Sequence, residues 1–167
     1  MGLYSAVING IAATAAQDIF EIVAPSDAKV RINRIFVGQY TDFGDAQDEL
    51  IPIEVIRGYE TGGSGGGTIT PAPFNPYVGA ASAVVERNNT TVASDSGSDD
   101  IDFIAGETFN VRAGYLWKAP DALHFMTRQQ WEETQLILKP SQRLVVNIGA
   151  PADSITLNAT LEFEELR

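Results

Sequence analysis

Apolar and polar residues alternate with a period of two over much of this chain. The pattern is clearest at residues 154–164 (SITLNATLEFE). There Ile155, Leu157, Ala159, Leu161 and Phe163 alternate with Thr156, Asn158, Thr160, Glu162 and Glu164. Successive side chains of a strand point to opposite faces, so this segment predicts a half-buried antiparallel strand. Shorter segments read the same way. Residues 3–11 are apolar and end on the turn signal Asn9-Gly10. Residues 17–24 (QDIFEIVA) form a second strand, closed by Pro25 and the turn Ser26-Asp27. In residues 29–40 (KVRINRIFVGQY), Val30 and Ile32 oppose Arg31 and Asn33, and then the phase slips at Ile35-Phe36-Val37. A bulge or burial on both faces would produce such a slip.

Residues 50–59 alternate through Ile51, Ile53 and Val55. Pro52 lacks a ladder donor, which predicts an edge strand or a bulge there. Strands are also predicted at 83–87, 101–104, 108–115, 136–138 and 143–149, with a turn at 105–107. A helical face fits 120–134 only loosely, through Leu123, Met126 and Trp131, enough for one or two turns. Eight to ten short strands with turns between them predict an all-β fold: an antiparallel β-sandwich of jelly-roll type. Residues 61–76 (TGGSGGGTITPAPFNP) predict a flexible connection wrapped over the surface. Each half has too few strands to cover its own apolar face, so the expectation is one domain spanning 1–167.

The chain has 167 residues, 44% of them hydrophobic, and no cysteine. Disulfides, thiol nucleophiles and Cys-ligated metals are therefore excluded, and folding in a reducing cytoplasm fits. Eleven basic against 22 acidic residues give a net charge of −11. Polyanions are repelled by such a chain, so neither nucleic acid nor an anionic membrane is an expected partner. The opening MGLYSAVINGIAATAAQ has no basic n-region and its apolar residues are interrupted, so a signal peptide is not expected. Ala6 stands where a myristoylation signal needs Ser or Thr.

Gly62-Gly63-Ser64-Gly65-Gly66 matches the letters of a nucleophile elbow, but Thr68-Ile69-Thr70-Pro71 follows where a helix must start. His124 is the only histidine, too few for a multi-histidine metal site, and a packing or surface role is expected for it. Asp42, Asp45, Asp48 and Glu49 form one acidic group, and Asp95, Asp99, Asp100 and Asp102 another. Such spacing can hold Ca²⁺, yet neither matches an EF-hand loop, and solvated turns are the commoner outcome. No cofactor or metal is expected. Glu54, Glu107, Glu162, Glu164 and Glu165 are the candidates for a glycosidase pair, which needs two carboxylates facing across a cleft. Alternation instead places Glu162 and Glu164 on the outer face of one strand, keeping an exposed sheet soluble and discouraging edge pairing. Tyr115, Trp117, Phe125 and Trp131 concentrate aromatics in the least regular third of the chain, which predicts a subunit interface.

Several groups of residues carry a resemblance across most of the chain, in order. They are Asp18-Ile19-Phe20-Glu21-Ile22 with Ala24-Pro25, Gln39 with Asp42, Gly44-Asp45-Ala46-Gln47 and Glu49, and Gly63-Ser64-Gly65-Gly66 with Thr70-Pro71. Asn88-Asn89-Thr90-Thr91, Phe109-Asn110-Val111-Arg112-Ala113-Gly114, Ala150-Pro151-Ala152-Asp153-Ser154 and the closing Glu162-Phe163-Glu164-Glu165 complete them. Together they resemble structural proteins of tailed bacteriophages and prophage regions, with 121–133 reading as an insertion. The resemblance implies a virion component, a head decoration or cement protein made in the host cytoplasm, and supplies no catalytic residues. The expected partners are the major capsid protein or other virion proteins, and further copies of the chain in a homo-oligomer such as a trimer. The alternative is a carbohydrate-binding module of a phage tail or spike, stacking sugars on Tyr115, Trp117 and Trp131. An enzyme ranks last.

Overall fold

The computed structural model describes residues 2–39, 41, 49–97, 101–120 and 127–166, without the side chains of Arg128 and Glu132. In chain order the strands are β1 (Gly2–Ala13), β2 (Gln17–Val23), β3 (Lys29–Gln39), β4 (Leu50–Arg57), β5 (Gly67–Ile69), β6 (Ala72–Pro73) and β7 (Val84–Asn89). They continue as β8 (Asp102–Asn110), β9 (Tyr115–Lys118), β10 (Leu136–Leu138), β11 (Arg143–Ile148) and β12 (Ile155–Leu166), with one short helix, α1 (Arg128–Glu133), before β10. They form two six-stranded antiparallel sheets packed face to face. The first runs β10-β3-β12-β1-β6, with β9 also on β3; the second runs β5-β7-β2-β11-β4-β8. The expected all-β sandwich is present, and the short helix falls where one or two turns were expected.

The core lies between the sheets. Ile8, Ile32, Ile35, Leu161 and Phe163 from the first sheet meet Phe20, Ile22, Ile51, Ile53, Leu144 and Val146 from the second, all essentially inaccessible to water. Burying each such side chain contributes about 1.5–3 kcal/mol. Tyr4 stacks on Phe163 with ring centroids 5.5 Å apart. The five apolar positions read from the β12 alternation are all buried.

Bulges set the phase of the long strands. In β3 the extra residue is Asn33, since Ile32 pairs with Phe163 and Arg34 with Glu162. This accounts for the slip before Ile35-Phe36-Val37, because Val30, Ile32, Ile35 and Val37 all face the core.

Other expectations are corrected. Asn9-Gly10 is not a turn. Gly10 has φ 75° and donates its N–H to Asn158 Oδ1, and β1 resumes pairing with β12 at Ile11. Nor do residues 105–107 turn, since they lie inside β8. The chain reverses after Asn110, whose C=O accepts the N–H groups of Ala113 and Gly114, the latter at φ 72°. Pro52 sits in neither an edge strand nor a bulge, because β4 lies between β11 and β8. It is tolerated because it stands opposite Gly149, one residue beyond the end of β11. Gly149 N–H bonds the Pro52 C=O and asks for no donor in return at the last ladder position. Finally, β12 is not exposed at an edge but lies between β3 and β1. Glu164 pairs with Arg31 and Glu162 with Arg34 across the strands, so these acids lace the sheet together.

The glycine-rich connection is ordered. It supplies β5 to one edge of the second sheet and β6 to one edge of the first. Before that it is held by bridges Thr61–Ser94 and Ser64–Thr91. The expected flexible linker is corrected by the site it covers.

Candidate functional site

Asp18 and Glu21 are three residues apart, and in a regular strand they would face opposite sides of the sheet. A bulge at Ile19 changes that. Phe20 pairs with Val146 and Asp18 with Asn147, so Ile19 is the extra residue. Ile19, Phe20 and Ile22 go to the core, while both carboxylates reach the outer face of the second sheet. Neighbouring strands bring Glu86 and Asn89 of β7 and Arg143 and Asn147 of β11 to the same face.

Buried ions need partners, and these have them. Glu21 Oε1 accepts from Arg143 Nε at 2.6 Å, and Oε2 from the Gly63 N–H at 2.8 Å and Asn89 Nδ2 at 3.3 Å. Asp18 Oδ1 accepts from Asn147 Nδ2 at 2.8 Å and Oδ2 from the Ala93 N–H at 2.6 Å. Arg143 Nη1 also donates to the carbonyls of Tyr59 and Glu60. Asp18, Glu21 and Asn89 are 1%, 3% and 1% exposed. Burial pushes the Asp18 carboxyl above its ordinary value and the Glu21 charge adds to this, while the bonds from Asn147 and Ala93 pull it back. Burial, with the charges of Glu54, Asp18 and Asp95, raises the Tyr59 phenol.

The glycine run is the lid of this network. A Cβ on Gly63 would lie 2.7 Å from the Thr91 carbonyl and 2.8 Å from Asp18 Oδ2. On Gly62 it would meet Glu21 Oε1 at 2.7 Å, and on Gly66 the Arg87 carbonyl at 2.0 Å. The sequence is glycine here because the backbone lies flat on a polar sheet face with no room for side chains. Ser64 exchanges both backbone bonds with Thr91, so the elbow-like letters form a β-bridge. A recess of about 220 Å³ opens above residues 63–68, Glu86 and Asn89. Every oxygen of Asp18 and Glu21 is engaged, and the loop separates both from solvent. The arrangement clamps the loop rather than presenting an acid or base.

The other predicted residues scatter. Tyr115 is 5% exposed and packs on Phe109 in the core, with burial, then Glu107, pushing its phenol up to about 12. Trp117 is half-buried against the same core. Trp131 stands apart on α1, with the Arg31 guanidinium 5.1 Å from its ring centroid. Phe125 and His124 lie outside the described residues, as do Leu123, Met126, Asp42, Asp45, Asp48, Asp99 and Asp100. Tyr115 is therefore a core residue. Glu54 pairs with Gly106 and its neighbour Ile53 with Glu107, which puts the two acids on opposite faces. Glu165 is buried and accepts the N–H groups of Ser82 and Ala83. Glu49 accepts the Ala152 N–H, and Asp102 pairs with Arg57. Among the described residues no group of three metal-ligating side chains comes together.

Sequence reasoning missed the clamp. Its one trace is two acids inside the apolar run QDIFEIVA at a spacing that a strand cannot place on one face without a bulge. Neither a family model nor a curated protein nor a solved structure matches this chain.

Proposed function

We propose that this chain is a non-enzymatic structural protein of a bacteriophage virion, a decoration or cement protein on the head. The observation that carries this reading is the clamp. The most deeply buried polar groups are spent on fixing a surface loop, which suits a protein whose task is to stay rigid without disulfides. A second feature suits lattice contact. On the outer face of the first sheet the register aligns Val7, Thr160, Phe36 and Leu116 in one cross-strand row. Val7 is 56% and Leu116 59% exposed, an apolar stripe beside charged rows. The expected partners are the major capsid protein or other virion proteins, and further copies of this chain.

The test is copy number in purified particles, measured by mass spectrometry against the major capsid protein. A simple ratio supports decoration, and loss of copies on Val7→Asp with Leu116→Asp would place the stripe in the contact. Absence from particles overturns the proposal. A second reading, glycan binding, is favoured by a separate recess beside Trp131.

A further inference from the structure

We propose that copies of this chain meet through the edge of the first sheet where the start of β1 lies beside the turn at residues 74–79, with Tyr77 and Phe74 as the anchoring side chains. This deepens the expectation of a homo-oligomer and rests on it.

The placement of charge carries the argument. Residues 1–17 contain no Asp, Glu, Lys, Arg or His, and neither do residues 61–85. All 22 acidic and 11 basic side chains lie elsewhere in the chain. The fold brings these two distant uncharged segments together. β1 pairs with the edge strand β6. The Phe74 N–H bonds the Leu3 carbonyl at 3.0 Å, and the Tyr4 phenol donates to the Gly79 carbonyl at 3.1 Å.

Large apolar side chains project from this edge. Tyr77 is 95%, Phe74 57% and Leu3 39% exposed. Their presentation is fixed by local bonds. The Asn75 carbonyl accepts the Val78 N–H at 3.0 Å, and Asn75 Oδ1 accepts the Tyr77 N–H at 3.0 Å. Asn in the first position of such a turn and Pro76 in the second are the residues it favours. An aromatic ring on a turn already held in place offers contact area at a low cost in entropy. Interface cores are enriched in Tyr and Phe and depleted in Asp, Glu and Lys, and a few such anchors carry most of the affinity. β6 is two residues long and ends in Pro73, which blunts the edge against continuous strand pairing. The contact is therefore made by side chains.

Charge also selects the occupant. Each copy carries −11, so two copies repel. That repulsion is least opposed to contact where the meeting segments bear no charge and none of their side chains must shed an ion's hydration. A cationic partner would be drawn instead to the acids elsewhere on the chain. An uncharged apolar edge suits a partner of the same sign, which a second copy is.

The experiment is sedimentation velocity of the full chain over about three decades of concentration, at salt from about 0.02 M to about 0.5 M. Reversible association is expected, and it should tighten with salt as the repulsion is screened. Tyr77→Asp should weaken it at least roughly tenfold with unchanged melting, since the side chain is exposed. Leu116→Asp adds the same charge on the outer face of the first sheet and should leave association near that of the parent. A parent that stays monomeric throughout overturns both this inference and the homo-oligomer expectation. A parent that associates while Tyr77→Asp and Phe74→Asp associate equally well overturns the edge contact and leaves the homo-oligomer standing. Equal weakening by Leu116→Asp, or association that loosens as salt rises, also overturns the uncharged edge as the contact. Particle copy number decides the virion reading separately.

Discussion

Single residues in the clamp carry the sharpest predictions. Gly66→Ala must force a methyl against the Arg87 carbonyl, and a backbone atom cannot swing away as a side chain tip can. A loss of about 1–3 kcal/mol in urea unfolding is expected, whereas Gly67→Ala, with nothing within 4 Å of its Cβ, stays within about 0.5 kcal/mol of the parent. Equal effects at the two sites would show that the loop does not lie on the sheet. Glu21→Ala strands the Arg143 charge, the Gly63 N–H and the Asn89 amide together. A loss of about 3–5 kcal/mol is expected, the range for breaking a buried pair on one side. Asp18 gives a pH signature. Its carboxyl is raised above 3.8 in the folded chain, so the fold favours the protonated form. The stability this contributes is complete below that ordinary value and is lost as pH rises through the raised one. Urea titrations of the parent and Asp18→Asn from about pH 3 to about pH 7 should therefore show the parent's advantage shrinking as pH rises above 3.8. A constant difference would refute the assignment. None of this clamp was legible residue by residue. The glycines read as freedom when they are space, and nothing local announces the bulge at Ile19 that brings the two acids to one face.

At the level of elements, strand existence followed from alternation because burying one face of a pleated ribbon requires it. Strand environment did not. Pro52 was correctly seen to remove a ladder bond, yet the missing donor faces the chain just past β11, so an interior strand accepts it. Pro52→Ala is accordingly expected to change stability by less than about 1 kcal/mol, whereas Val55→Pro, in mid-ladder, should prevent folding, as circular dichroism would show. The outer face of β12 was read correctly as polar and wrongly as an exposed edge. An alternating strand looks the same whether one neighbour flanks it or two. The Arg34–Glu162 pair is part-exposed, so a double-mutant cycle should give no more than about 1 kcal/mol, falling with salt.

For the whole molecule, the shared core predicts one cooperative transition. Tryptophan fluorescence and far-ultraviolet circular dichroism should report the same midpoint, and Phe163→Ala should lower both together by about 3–5 kcal/mol. Separate transitions for the two sheets would overturn a common core. By itself the sequence determined the all-β class, most strand positions, the core residues of β12 and the absence of a cysteine-based site. Each of these follows from local chemistry and a two-residue period. Only the tertiary structure decided strand order, the fate of the glycine run, the union of Asp18 with Glu21, and the separation of Trp131 from Tyr115 and Trp117. The physical reason is that the clamp's main bonds join β2 to loop 62–66, β7 and β11, segments far apart in the chain. Local pattern carries no information about which distant backbone will lie across a given face.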